Sequence, residues 1–287
     1  MTETSVAVIG SATIDRVVQG SKSVRQLGGV VTYAGLTFRR HDIETIIVSN
    51  VAGEDKSILK VLCEEGIHIF RGHTKNTTHF INYIDGNNLW QEMPVYANPI
   101  TDEQVRSVLG SVGHLHLGPL HPDDIEPKAI KLIDKTKLFI SLDVQGYVRC
   151  TENNRVRLRV SENLTDALLC SHMVKADETE LTSILAFYKM SLSELTWAFK
   201  IDEMVITAGP CGGLIRRLTG EEIRYDAKPI DFLVDPTGAG DVFFGAYVTY
   251  RFHRDKNISI ASEIAAILAA QQIEGRYISK EILSLEY

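Results

Sequence analysis

Six short apolar runs set the strongest limit on what this chain can fold into. They are SVAVIG (Ser5–Gly10), TIIVSNV (Thr45–Val51), HLHLG (His114–Gly118), KLFISLDV (Lys137–Val144), HMVKA (His172–Ala176) and EMVITAG (Glu203–Gly209). They lack clear two-residue alternation between apolar and polar positions, as expected when a strand is covered on both faces. Helical spacing recurs between them. DKSILKVLCEEG (Asp55–Gly66) places Ile58, Leu59, Leu62 and Cys63 on one face and stops at a glycine. DETELTSILAFYKM (Asp177–Met190) opens with acids that suit a helix N-terminus, and SEIAAILAAQQI (Ser262–Ile273) carries small residues for close packing. Buried strands alternating with helices predict an α/β fold with a doubly wound, mostly parallel sheet. Ligands of such sheets bind beyond the carboxyl ends of the strands.

Two segments break that rhythm. HFINYIDGNNLWQEM (His79–Met93) alternates and contains Asp85-Gly86, a hairpin signal. RVVQGSKSVRQ (Arg16–Gln26) is a second candidate strand. Together they predict a small β-sheet lid, inserted approximately within residues 15–30 and 75–98 of a single domain spanning 1–287. The formal net charge of −7 leaves no excess of Lys and Arg to neutralise nucleic-acid phosphates. No basic segment leads into an apolar core as in a signal peptide, and no apolar run is long enough to span a bilayer. Cys63, Cys150, Cys170 and Cys211 are scattered without a CxxC pair, and read as reduced thiols of a cytoplasmic protein, most of them buried.

The densest chemical signal is VDPTGAGDVFFGAYV (Val234–Val248). Glycines at 238 and 240 allow a turn where a side chain would clash, and leave backbone N–H groups free to face a ligand. The residues that follow have helical character, so the turn sits at a helix N-terminus, where an anion is favoured. Asp241 is then a carboxylate beside an anion site. In one reading it is a general base, with the N–H groups of Gly238, Ala239 and Gly240 stabilising charge on a transferred phosphoryl group. In the other, the segment is a tight turn with a capping aspartate. The turn's own residues leave both open.

The wider chain adds a resemblance. DPTGAGDVFFGAYV is similar to the C-terminal signature of the PfkB (ribokinase-like) carbohydrate kinase family, and five further stretches precede it in the family's order. GSATID ends an early strand with Asp15 where the family contacts substrate hydroxyls. LGGVVTYAG resembles the di-glycine motif, through Gly28 and Gly29, and NVAGED the GxD segment. VKADETE and VITAGPCGG resemble the two nucleotide-side motifs. The resemblance implies a ribokinase-like fold and ATP-dependent phosphoryl transfer to a sugar or polyol hydroxyl under a β lid. It makes Asp241 the base and residues 238–240 the anion hole. Thr207, Gly209, Gly213 and Lys175 fall to the nucleotide side, and Asp235 to the position that helps hold a monovalent cation such as K⁺. Positioning and charge neutralisation are what phosphoryl transfer requires.

Two positions depart from the family pattern. Its NxxE motif, which organises Mg²⁺ largely through water, appears as Asp177 to Glu180: Glu180 matches and Asp177 stands where Asn is usual. Mg²⁺ accepts carboxylate oxygens, and an acidic helix start explains the same residues without a metal. Tyr33 stands where ribose and fructose kinases tend to keep Asn, which shifts the reading away from a furanose. DVQGYVR (Asp143–Arg149), KADETE and the proline of VDPTGAGD resemble the inositol kinase branch, so myo-inositol is the favoured acceptor. Gln145 and Arg149 would then lie near it, although loop contacts explain both equally.

A nucleoside kinase is the alternative within the class, with Tyr33, Phe80 or Trp90 lining a base pocket. A catalytically silent sugar-binding regulatory protein on the same fold is the alternative outside it. His114, His116 and His121 read as a strand end and its loop rather than a metal site, and RVRLRV (Arg155–Val160) as a solvated edge or loop. VIGSATID lacks GxGxxG, against a dinucleotide-binding dehydrogenase. Exposed lid strands could pair two copies as a homodimer.

Overall fold

The six apolar runs become six contiguous strands of one nine-stranded sheet. The computed structural model describes residues 5–85 and 88–285. With strands numbered in chain order, this sheet contains β1 (Ser5–Ile9), β4 (Glu44–Asn50), β5 (His68–Gly72), β8 (His114–Leu117), β9 (Phe139–Asp143), β12 (Met173–Asp177), β13 (Glu203–Thr207), β14 (Gly213–Arg217) and β15 (Glu222–Tyr225). A second sheet contains β2 (Thr13–Gln19), β3 (Lys22–Gly28), β6 (Thr78–Asp85), β7 (Asn88–Val95), β10 (Arg149–Glu152) and β11 (Arg155–Leu158).

The large sheet runs β15-β14-β13-β12-β9-β8-β1-β4-β5. It is parallel from β13 to β5, and β14 and β15 add an antiparallel edge. Cover on both faces explains the missing alternation. Along β1, Val6 and Val8 join one hydrophobic cluster while Ala7 and Ile9 join the other, and none is exposed. Strand order reverses at β1 and β8, which places a switch-point crevice at their carboxyl ends.

Local structure follows the sequence with definable shifts. Asp55–Gly66 starts as a 3₁₀ turn, Lys56–Leu59, continues as the short helix Lys60–Glu64, and ends at Gly66 with φ +80°. The helix expected from Ser262 begins earlier, at Ile258, because Asn257 caps it by accepting from the Ile260 N–H. Of the four cysteines only Cys170 is buried; Cys63 and Cys211 are exposed and Cys150 intermediate, against the expectation that most would be interior. His114 and His116 lie inside β8, fully buried, and share the Ser141 hydroxyl at 2.7 and 2.8 Å, so they belong to the core rather than to a loop.

The second sheet is the expected lid, but larger. Its order is β10-β11-β7-β6-β2-β3. Arg16–Gln26 is not one strand: it is most of the β2–β3 hairpin, which turns at Gly20 with φ +58°. In the β6–β7 hairpin Asp85 pairs with Asn88, and the tip, residues 86–87, lies outside the described residues. A third hairpin, β10–β11, was not expected. It turns through Asn153 and Asn154, both with positive φ, the backbone a two-residue hairpin turn needs. Arg155–Leu158 is therefore an inner strand of the lid, paired to β7 through Arg155 and Glu92. Ser284 bridges Gln26 and so covers part of the β3 edge. Among the described residues no helix is long and apolar enough to cross a membrane.

Candidate active site

Two glycine-dependent devices beyond the strand ends build the site. Just after β1 the chain enters β2, which carries Asp15, and β3 returns it to Gly28 and Gly29. A Cβ on Gly28 would collide with the Asp15 carboxylate, and Gly29, at φ +91°, starts the helix Val30–Arg40. Only glycine permits both the approach and the backbone angle. Asp15 is 5% exposed and accepts a 2.6 Å hydrogen bond from the Thr13 hydroxyl. Burial pushes its carboxyl up to about 6; Thr13 opposes that rise and the nearby Asp235 adds to it.

The second device is the glycine turn. Gly238 is left-handed, at φ +76°, and heads the helix Ala239–Val248. The Tyr33 ring occupies the space a Cβ on Gly238 would need. Of the three amides expected to face an anion, the Ala239 N–H donates within the turn, to the Pro236 carbonyl at 3.2 Å. No hydrogen bond from the N–H groups of Gly238, Gly240 or Asp241 to a backbone carbonyl outside the helix occurs among the described residues. They stand at the positive end of the helix dipole, where an anion is stabilised.

Lys175 and Asp143 complete this side. They form a buried ion pair, Nζ to Oδ2, at 3.0 Å. A Cβ on Gly240 would lie 3.4 Å from that Nζ, so the ammonium rests against the turn. Burial alone would lower Lys175, but Asp143, Glu180 and Asp241 hold it above its ordinary value. Burial pushes Asp241 up to about 7; Asp143 adds to that rise, and Lys175 and Arg149 oppose it.

Both devices face one cavity of about 620 Å³, whose walls include Asp15, Tyr33, Gln145, Arg149, Gly238 and Asp241. The lid contributes Phe80, Asn82, Trp90, Gln91 and strand β11. Lys175, expected on the nucleotide side, lines this cavity as well. A buried carboxyl pushed up to about 7, the N–H groups of a helix head and a paired ammonium around one space suit transfer of an anionic group to a neutral hydroxyl.

The family model for pfkB carbohydrate kinases matches residues 39–280. The chain belongs to this family. No curated protein sequence matches it significantly. The fold matches a pyrophosphate-dependent kinase of the ribokinase family solved with a pyrophosphate analogue and myo-inositol, with TM-score 0.81, 20% identity and coverage of 94% of this chain and 95% of that one. It also matches a nucleoside kinase from Methanocaldococcus jannaschii, with TM-score 0.75, 14% identity and coverage of 96% and 94%. A ribokinase from Arabidopsis thaliana, solved with ribose and ATP, matches with TM-score 0.74, 17% identity and coverage of 97% and 95%. The architecture is thus ribokinase-like, and this pfkB kinase is a phosphotransferase acting on a hydroxyl group.

Of the residues expected on the nucleotide side, Thr207, Gly209 and Gly213 lie apart from the cavity walls and Lys175 does not. Thr207 ends β13 and pairs with Gly213 on β14, while Gly209, at φ +54°, opens the connection between them. Thr207 also pairs with Asp177 at the end of β12. Asp177 and Glu180 cap their own helix reciprocally: Asp177 Oδ1 accepts from the Glu180 N–H at 2.7 Å, and Glu180 Oε2 accepts from the Asp177 N–H at 2.8 Å. Each leaves one carboxylate oxygen outside the box, and Glu180 is within electrostatic reach of Lys175 and Asp241. Burial raises Glu180 while Lys175 opposes the rise. Among the described residues no group of three or more His, Cys, Asp or Glu could hold a metal directly. Two hard oxygens without a cage fit Mg²⁺, which keeps most of its waters.

Asp143 was not singled out by the sequence reading. Its signal was an acidic residue ending a buried strand at the carboxyl edge of a parallel sheet, the place such folds reserve for ligands. The β11 contribution was missed because the Asn153-Asn154 turn was not read as a hairpin.

Proposed function

We propose that this pfkB kinase transfers the γ-phosphoryl group of ATP to a hydroxyl of a polyol, with a cyclitol such as myo-inositol the favoured acceptor. The observation that carries the reading is Asp241, pushed up to about 7 in the same cavity as the buried Asp15, at the head of the helix Ala239–Val248. Asp241 takes the acceptor proton as the hydroxyl oxygen attacks the γ-phosphorus. The bond from that phosphorus to the bridging oxygen breaks, and ADP leaves with the electron pair. The Gly240 and Asp241 amides and the Lys175 ammonium face the charge on the moving group. Asp177 and Glu180 would hold Mg²⁺ through water, and the ion would supply further charge neutralisation. Thr207, Gly209 and Gly213 border the nucleotide, and the lid excludes water.

Asp15, Asn82, Gln91, Gln145 and Arg149 give the cavity hydrogen-bonding groups from both sheets, suited to a ring bearing hydroxyls. A second reading has its own observation: Tyr33, Phe80 and Trp90 all line the cavity, so the aromatic faces a nucleoside needs are brought together. The likeness to a pyrophosphate-dependent kinase makes pyrophosphate the donor to test beside ATP. A homodimer through the lid would use the free β10 edge, since Ser284 already covers part of β3.

The test is product release from Mg·ATP or Mg·pyrophosphate against cyclitols, pentoses, hexoses and nucleosides. Turnover on myo-inositol with ATP is expected. Asp241→Asn should lower kcat by about 10²–10⁴-fold while calorimetry shows acceptor binding retained. Turnover confined to nucleosides replaces the acceptor, turnover confined to pyrophosphate replaces the donor, and an undiminished Asp241→Asn removes the base.

A further inference from the structure

The cation position beside the glycine turn is filled from within the chain. Asp235 is 7% exposed at its side chain, and its Oδ2 lies 3.3 Å from the Lys280 Nζ. The same Nζ donates to the Val234 carbonyl at 3.3 Å. A carboxylate and a backbone carbonyl, both hard oxygens, form the kind of donor set that otherwise takes a hard cation. Here both oxygens of that set contact one ammonium group, on a half-exposed lysine.

The ammonium is also tied to the turn. The Val234 and Asp235 N–H groups both donate to the Ile273 carbonyl at 3.0 Å, which fixes the segment's path. Asp235 Oδ1 accepts from the Thr237 N–H at 2.9 Å, so its second oxygen holds the entry to the turn. The Gln272 amide reaches both sides: its Nε2 donates to the Thr237 carbonyl at 3.4 Å and its Oε1 accepts from the Ile278 N–H at 3.0 Å. The chain that carries Lys280 is thereby braced against the chain that carries Gly238 and Asp241.

We propose that Lys280 is a built-in monovalent cation, a positioning residue that neutralises Asp235 and holds the Asp235–Gly240 turn, so that the enzyme works without K⁺. The residues present do not fit a bound ion, because the two oxygens that would receive it are engaged by the ammonium. An ammonium matches the charge of K⁺ but is delivered at no binding cost from solution, as it arrives with the fold. The catalytic consequence rests on the phosphoryl-transfer reading above; the occupancy itself does not.

The experiment compares wild type, Lys280→Met and Lys280→Arg in KCl and in NaCl of equal ionic strength, by thermal unfolding and by initial rate. Wild type and Lys280→Arg are expected to give equal Tm and equal rates in the two salts. Lys280→Met should lose rate in NaCl and recover it in KCl, with Tm higher in KCl by about 2–4 °C. If Lys280→Met does not fold, Lys280→Gln takes its place. A K⁺-specific rise in wild-type Tm or rate overturns the proposal, and so does a folded Lys280→Met indifferent to the salt. If no variant turns over any acceptor, the catalytic reading fails while the Tm comparison still decides whether Lys280 holds the cation position.

Discussion

Replacing Gly238 by alanine tests whether the turn and Tyr33 form one unit. Gly238 sits at φ +76°, where a residue with a Cβ costs about 1–2 kcal/mol. The added Cβ would stand 2.3 Å from Tyr33 Cδ1, well inside van der Waals contact. Tyr33 is 2% exposed and cannot swing into solvent, so the clash adds overpacking of about 1–3 kcal/mol. Gly238→Ala should therefore cost roughly 2–5 kcal/mol. Tyr33→Ala removes a buried aromatic and should cost about 3–5 kcal/mol by itself. In the double variant the new methyl enters the space the ring left, so only the backbone cost of Gly238→Ala remains. The two changes should fall short of additivity by about 1–3 kcal/mol. Urea unfolding of wild type, both singles and the double closes the cycle. Additivity within about 0.5 kcal/mol would refute the packing of Tyr33 on the turn, and with it the account of why this position is glycine.

Further outcomes concern protons. Because burial pushes Asp241 up to about 7, kcat/KM should climb with pH through neutrality and level off above it; an inflection near 4 would show an ordinary, solvated carboxylate. That raised carboxyl holds its proton more tightly folded than unfolded, so its contribution to stability is present at low pH and lost as pH rises from the ordinary value toward 7. Asp241→Asn should accordingly be more stable than wild type at pH 8, a sign that a simple unfolding comparison reads. His116 acts oppositely. Burial holds it down to about 4 beside His114, Ser141, Phe38 and the Asp143–Lys175 pair, so stability is lost as pH falls from about 6.5 to about 4. Over that window His116→Leu should remove about 3 kcal/mol of the acid-induced loss, and an unchanged slope between pH 7 and 4 would place the lost protons elsewhere.

The sheet was legible in the sequence because burial on two faces leaves a compositional mark that needs no knowledge of partners. The six apolar runs carry that mark, and all six became neighbours in the sheet. The glycine turn was legible for a similar reason, since its backbone angles and the helix that follows are local properties of Gly238, Gly240 and the residues after them. What the sequence left open was long-range. That Gly28 is glycine because Asp15 lies on it, and Gly238 because Tyr33 does, are contacts across many residues that no periodicity encodes. Asp143 became a site residue only when β9 and β12 set it beside Lys175. The third lid hairpin, and the arrival of Lys280 at Asp235, were likewise fixed by how separate segments pack. Sequence determined the elements and the turn, which depend on neighbours along the chain; tertiary structure decided the charges around Asp241, because those depend on neighbours in space.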